Sequence, residues 1–343
     1  MTTAQLAAMF LPRQHESSLH NGLADGRWRA TEWVFWLVLL AAYFVFPERL
    51  VLGSQILITA LFALSLDLIL GYAGIASLGH AAYFGIGAYA AGLLAKHGFG
   101  EPLTGLAVAA AVAAVAGYLV SFLIVRGTDL TRLMVTMAIG MVCYEAANKA
   151  HSITGGVDGL TGVVMKPVFG LFEFGFDGKV AYLYSLVVAF VLFWAVRRVI
   201  HSPFGLSLRG IREGGARMPA IGAPVKKRLV AVFTLSAALA GVAGALMAQT
   251  TQFVALDSLS FSRSAELLII LVLGGAGRLY GGFVGALVFM VMQSWLSDMN
   301  PVYWQFWIGL LLVVIVLFAR GGILGGIEVL REKVRSRHQE GAQ

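Results

Sequence analysis

The chain has 343 residues, of which 59% are hydrophobic and only 13% are charged, and its formal net charge is +7. Soluble domains carry about a quarter charged residues, so this composition excludes a soluble globular protein and predicts one that crosses a membrane several times. The single cysteine, Cys143, excludes an intrachain disulfide.

Ten apolar segments, taken in chain order, predict an all-α, polytopic membrane bundle of about 8–10 transmembrane helices. They lie at 33–46, 50–70, 78–95, 102–125, 131–150, 180–200, 229–250, 264–277, 281–297 and 303–319. Several are too short for a simple span, and such segments can be re-entrant or sheltered by neighbouring helices.

The predicted topology places both termini in the cytoplasm. Residues 1–31 and 321–343 are then cytoplasmic tails on either side of a transmembrane domain over 32–320, and no cleaved signal peptide is expected. In this arrangement, 19 of the 25 lysines and arginines lie in cytoplasmic segments, as the positive-inside rule requires. The other six are assigned to outer segments: Arg49, Lys96, Lys149, Lys166, Lys179 and Arg263. The net charge is therefore explained by topology, without nucleic-acid binding.

Four ionisable residues fall within the apolar segments: Asp67, His80, Glu145 and Glu266. Each lies near a predicted span end, where snorkelling or helix capping explains it, and His80 is expected to cap its helix together with Ser77. Several acids at mid-depth, as a proton relay needs, are not seen. The dispersed histidines and the lack of a P-loop motif predict no metal, no cofactor and no nucleotide site of the chain's own.

Two segments, Gly71–Tyr89 and Gly274–Gly285, are rich in glycine. Small residues let membrane helices approach closely, and they also permit a helix to break where it lines a cavity. Tight packing and a discontinuous helix around a solute path are both open. The candidate path residues are Asp67, Gly71, Gly74, Ser77, Gly79 and His80.

Two loops stand out, an outer one over 151–179 and a cytoplasmic one over 201–228. The outer loop opens with Thr154, Gly155, Gly156, Asp158 and Gly159, which suit tight turns facing water or a docking protein. A simple connecting turn is the alternative.

In the cytoplasmic loop, Pro203 and Gly205 are expected to break the preceding helix. Leu206–Arg212 then predicts a short amphipathic helix whose apolar face holds Leu206, Leu208 and Ile211, ending at Gly214 and Gly215. Such a helix on the membrane surface can receive force from a cytoplasmic motor. Contact with anionic lipid headgroups is the alternative.

Three stretches carry a family resemblance: LDLILGYAGIASLGHAAYFGIGAYAAGLL (66–94), TGGVDGLTG (154–162) and SPFGLSLRGIREGGARMPAIGAPVKKRLVAVFTLSAALAGVAGAL (202–246), extended by residues 267–288 and 318–325. In these the chain resembles the inner-membrane permease of branched-chain amino-acid (LIV-type) ABC transporters, specifically the "M" subunit. The resemblance implies a bacterial inner-membrane location, a second homologous permease subunit, two cytoplasmic ABC ATPase subunits and a periplasmic solute-binding protein. It implies alternating access for branched-chain amino acids, while relatives move urea, short amides or aromatic acids.

The resemblance also assigns an ATPase-coupling role to part of the cytoplasmic loop. The matching positions are Arg209, Gly210, Ile211, Arg212, Glu213, Ala220, Ile221 and Gly222. The chain departs from the family's pattern at Gly214, Gly215 and Pro219, and at Asp67 and Ile75, where relatives commonly have Asn and Gln. An autonomous ion-coupled carrier is the competing class, and a membrane enzyme is disfavoured because no catalytic cluster occurs.

Overall fold

The computed structural model describes residues 30–168, 170, 172–175, 177–215, 217–299, 303, 306–307, 309–310, 313 and 322–326. Almost all of the two predicted tails, and most of the predicted span at 303–319, lie outside these residues. The described fold is helical, with isolated bridges at Leu160–Val254 and Val168–Phe172 in place of β-strands, which confirms the predicted all-α class.

Ten helices carry the described fold, apart from short helical turns. They are α1 (Ala30–Val45), α2 (Leu50–Asp67), α3 (Ala81–Lys96), α4 (Pro102–Ile124), α5 (Asp129–Lys149), α6 (Lys179–Ile200), α7 (Pro203–Gly214), α8 (Val225–Thr251), α9 (Phe261–Gly274) and α10 (Gly281–Met299).

Within the described residues, six helices are long and apolar enough to cross a membrane. They are α2 with its flanking turns, α4, α5, α6, α8 and α10. The shorter helices α1, α3 and α9 correspond to three more of the predicted apolar segments. The predicted polytopic bundle is therefore confirmed.

Helices α2 and α8 run antiparallel through the centre of the bundle. The start of α2 and the end of α8 line one cavity, which Val51, Ser54, Thr250 and Thr251 share. Both helices are buried along most of their length, whereas α4, α5 and α10 expose most of theirs. Apolar side chains on the exposed outer helices suit contact with lipid, because a bilayer solvates them as well as a protein core does.

The central helices are continued by two short half-helices, of which α3 begins at the buried Ala81 and α9 begins at the exposed Phe261. A π-helical turn, Leu68–Tyr72, extends α2, and a non-helical segment over 73–80 then returns to the buried start of α3. After α8, a non-helical return and the turn Leu256–Leu259 lead to α9. The two returns meet where the Ala81 N–H donates to Ser264 Oγ at 2.9 Å. Within the glycine-rich segment Gly71–Tyr89, the helical path is therefore interrupted over 73–80, which is one of the two possibilities left open by the sequence.

The two ends of the bundle differ in charge. At one end, which we call the basic end, α7 lies near the start of α8, and Arg126, Lys226 and Lys227 line one groove. At the other, the loop end, Leu160 and Val254 exchange backbone hydrogen bonds of 2.9 and 3.2 Å. Arg126, Lys226 and Lys227 thus lie at one end of the bundle, which the sequence predicts to face the cytoplasm.

Candidate functional site

Helix α7 is an amphipathic surface helix at the basic end. Ser202 has extended backbone angles and Pro203 occupies the first turn, where its fixed φ and missing N–H are tolerated. Leu208 and Ile211 are buried, whereas Leu206 is 44% exposed. The predicted amphipathic helix is therefore present, but it begins at Pro203, and Leu206 lies outside its buried face.

Gly205 does not break a helix, contrary to the sequence-based expectation. The preceding helix α6 ends at Ile200, and Gly205 lies inside α7. A side chain at Gly205 would collide with the backbone of Ile200. The glycine therefore allows the sharp turn between α6 and α7 by letting the two backbones touch.

Arg212 connects α7 to the end of the central helix α2. Its Nη1 atom donates a hydrogen bond to the Gly71 carbonyl, and its side-chain stem lies against Gly74, whose φ is +73°. One turn earlier on α7, the Arg209 guanidinium lies 5.4 Å from the centre of the Tyr72 ring, within cation–π range. The structure thus joins the predicted coupling residues to the predicted path residues.

Asp67 connects the same end of α2 to a third segment, the loop between α9 and α10. Its Oδ1 atom accepts a hydrogen bond of 2.6 Å from the Gly277 N–H, and its side chain is 1% exposed. The expectation that the Asp67 side chain snorkels towards the membrane surface is wrong. The π-helical turn continues the helix past Asp67 and keeps it buried. We call the contacts of Asp67, Gly71, Arg212 and Gly277 the junction.

His80 lies in the core. The expectation that it caps its helix is wrong, because its side chain makes no capping hydrogen bond. The first N–H of α3 donates to Ser264 Oγ instead, and His80 Nε2 lies 2.9 Å from Ser65 Oγ. The His80 ring stacks on Phe62 with 5.7 Å between centroids. Ser77 is also buried, and within the described structure its hydroxyl has no hydrogen-bond partner.

Gly79 allows close contact between the 73–80 return and α5. A side chain at this position would collide with the Thr136 carbonyl, and the adjacent Leu78 N–H donates to Thr136 Oγ1 at 3.2 Å. The six candidate path residues therefore divide into two groups. Asp67, Gly71 and Gly74 lie at or beside the junction, and Ser77, Gly79 and His80 pack in the core.

The remaining two intramembrane acids differ in environment. Glu145 is exposed on α5, and Glu266 pairs with Arg263 at 2.9 Å. Arg263, which the predicted topology assigned to an outer segment, lies on the first turn of α9 and lines a partly open cavity between α2, α8, α9 and α10. Arg263 and Glu266 are three residues apart, which places them on one face of a helix. This spacing is the sequence signal from which their pairing could have been predicted.

The predicted docking loop at the loop end is held in place by its threonine. Thr154 Oγ1 donates to the carbonyl of Ala147 at 2.6 Å, and Gly155, Gly156 and Gly159 all have positive φ. Only part of this loop faces outward, since Thr154, Gly156 and Gly159 are buried while Val157 and Asp158 are exposed. The exposed pair forms the accessible tip.

The segment predicted to contact an ATPase, residues 209–222, also has an outer surface whose residues do not belong to the junction. We call this outer surface the coupling surface. Glu213, Ala220, Ile221 and Gly222 are exposed, with Ile221 at 76%. Behind them, Met218 lies close to Gly210, with its Sδ 2.9 Å from where a Cβ would be. The predicted coupling residues thus form an exposed surface backed by a packed inner face.

These features define a class: a multi-pass membrane protein with broken core helices and a basic surface helix bonded into its centre. The chain belongs to the family described as "Branched-chain amino acid transport system / permease component", whose model matches residues 49–316.

Individual relatives are similar over most of the chain. The high-affinity branched-chain amino acid transport system permease protein LivM of Escherichia coli is 29% identical over 80% of this chain and 69% of that protein. Its Salmonella typhimurium counterpart is 29% identical over 85% and 74%. A probable LivH permease protein of Methanocaldococcus jannaschii is 27% identical over 72% and 80%. No solved structure gave a significant match.

Proposed function

We propose that this chain is the transmembrane permease subunit of a binding-protein-dependent ABC importer that carries branched-chain amino acids. Partner ATPases drive transport by alternating access. The observation that carries this proposal is the junction, where the surface helix α7 is bonded to the central helix α2 and α2 is bonded to the α9–α10 loop. The names of the relatives supply the substrate class.

The junction gives a physical route for force. The buried face of α7, with Leu208 and Ile211, leaves it little freedom to slide over the core. A push on its exposed surface therefore moves α2 and the half-helix α9 together as a rigid body. Since α2 and α9 both contribute to the bundle interior, such a movement changes which end of the bundle is open.

Four partners follow from this proposal. A second homologous permease subunit completes the membrane unit, and relatives of both the LivM and LivH type support such a pairing. Two cytoplasmic ATPase subunits dock on the coupling surface, so the basic end faces the cytoplasm, as do both termini. A periplasmic solute-binding protein docks at the loop end near Val157 and Asp158. The surrounding lipid is the bacterial inner membrane.

The coupling surface provides the test. In the assembled complex, Ile221→Asp and Glu213→Ala are each expected to lower ATP-driven uptake of L-leucine about tenfold, because a docking surface depends on a few central side chains. Membrane insertion is expected to remain normal, since both residues are exposed. Asp129→Ala is the matched control, because Asp129 is another exposed acid at the start of α5. Unchanged uptake in both docking variants would reject this coupling surface.

A further inference from the structure

A partly open cavity with a mixed polar and apolar lining lies between α2, α8, α9 and α10. Its volume is about 360 Å³, which falls in the range of small-molecule sites. The lining runs along α2 from Leu52 to Thr59, so the cavity lies within the first turns of that helix, towards the loop end. It is separate from the junction, which lies at the other end of α2.

The polar wall of this cavity consists of amide, hydroxyl and guanidinium groups. They belong to Gln55, Thr59, Arg263, Gln293, Ser294 and Ser297. On α2 and α10 these residues recur at helical spacing, so each helix presents a polar stripe to the cavity. Polar groups on membrane helices are costly against lipid and normally face a protein interior or a water-filled space. The two stripes therefore line an aqueous or ligand-filled space.

Arg263 is the charged side chain of the cavity lining, and it is already oriented. Its Nη1 atom donates to Glu266 at 2.9 Å, and each of the two side chains is 24% exposed. A guanidinium has five N–H donors in a planar fork, so this one contact leaves donors for a ligand. Arginine is suited to a carboxylate because its fork can bind both oxygens.

The remaining wall is apolar and is formed by Leu52, Met247 and Met290. Methionine side chains are flexible and fill irregular space, so they accommodate aliphatic groups of different shape. The cavity thus combines a cation, neutral oxygen acceptors and an adaptable apolar surface. An α-amino acid with an aliphatic side chain needs these three features.

We propose that this cavity is a binding site for an aliphatic α-amino acid in transit. Arg263 binds the carboxylate, the amide and hydroxyl oxygens of Gln55, Thr59 and Ser297 accept from the ammonium group, and Met247 and Met290 contact the side chain. This inference rests on the proposed function and adds to it a location and named contacts for the substrate. Solutes without a carboxylate, such as urea and short amides, lack the group that Arg263 selects.

Site-directed labelling in the assembled complex tests the site. The native cysteine is replaced by Cys143→Ser, Ser297→Cys is introduced, and the rate of reaction with a charged thiol reagent is measured. Millimolar L-leucine is expected to slow labelling about tenfold, whereas isoamylamine, which lacks only the carboxylate, slows it less than about twofold. Arg263→Gln is expected to abolish the leucine effect. Arg49→Gln, which changes an exposed arginine before α2, leaves the effect intact.

The comparison of the two probes is made with Arg263 present, so it decides the question even if Arg263→Gln does not assemble. Equal slowing by both probes, or by neither, overturns the carboxylate site. ATP-driven leucine uptake by the parent complex is measured in the same preparation. Uptake without leucine protection rejects the cavity alone, and a complex that shows no uptake rejects the proposed function.

Discussion

Asp67 is a buried carboxylate whose contribution to stability depends on a hydrogen bond from one backbone N–H. Its Oδ1 atom accepts from the Gly277 N–H, and the Arg212 guanidinium also lies close to Gly277. A buried backbone N–H that loses its acceptor costs about 1–3 kcal/mol. The side chain therefore holds the α9–α10 loop against the end of α2.

Replacing this acceptor gives a prediction at the residue scale. Asp67→Leu is expected to reduce the free energy of unfolding by about 1–3 kcal/mol, because the Gly277 N–H is left unpaired. Asp67→Asn is the matched control, since the asparagine Oδ1 atom can accept the same bond. The midpoint of thermal denaturation in detergent measures both. If Asp67→Leu denatures at the same temperature as Asp67→Asn, the bond does not support the junction.

The residues of the junction could be selected from the sequence, but their contacts could not. Asp67, Gly71 and Arg212 were all candidates, because an acid in a span, a glycine-rich turn and a basic loop each stand out. Their partners are remote in the sequence: Arg212 is 141 positions from Gly71, and Asp67 is 210 positions from Gly277. Hydropathy and local spacing carry no information on contacts at that separation.

At the scale of the elements, the half-helices α3 and α9 distinguish this bundle from a set of simple spans. Helix α3 begins at the buried Ala81, and the starts of the two half-helices are joined by the hydrogen bond between Ala81 and Ser264. Non-helical backbone at membrane depth is tolerated only where protein or a water-filled cavity covers it. The 73–80 return meets this condition by packing against α5, where Gly79 touches Thr136.

This close contact predicts a specific sensitivity. Gly79→Ala is expected to destabilise the protein by about 1–3 kcal/mol, because the added methyl group forces the return away from the Thr136 carbonyl. The yield of monodisperse protein after detergent extraction, and its denaturation temperature, measure the effect. Gly175→Ala is the control, since nothing lies within 4 Å of its Cβ position. Equal behaviour of the two variants would show that the contact is looser than described.

Most helices could be predicted from the sequence because long apolar windows report them directly. The segment predicted at 180–200 is helix Lys179–Ile200, and that at 102–125 is Pro102–Ile124. The starts of α3 and α9 were harder to predict from the sequence, because a non-helical return within a membrane protein has the composition of an external loop. Arg263 was assigned to the outside for this reason, although it lines a cavity between four helices.

At the scale of the whole molecule, the two ends have separate tasks in the proposed importer. The basic end presents the coupling surface, and the loop end presents the tip formed by Val157 and Asp158. The positive-inside rule predicts that the basic end faces the cytoplasm. The central helices α2 and α8 connect the two ends, so a movement at one end is transmitted to the other.

Orientation can be measured with one cysteine at a time. In a Cys143→Ser background, Asp158→Cys is expected to react with a membrane-impermeant maleimide in spheroplasts. Ala220→Cys is expected to react only after the membrane is permeabilised, because the basic end faces inward. Both positions are exposed in the structure, so a difference in labelling reports sidedness. The opposite pattern would invert the proposed topology.

The central claim is that this chain transports only as a driven subunit. The direct measurement is uptake of L-leucine into proteoliposomes containing either this chain alone or the chain with its second permease subunit, ATPase subunits and binding protein. We expect accumulation only in the complete assembly and only with ATP. Accumulation by the chain alone in response to a proton or sodium gradient would contradict the account and identify an autonomous ion-coupled carrier.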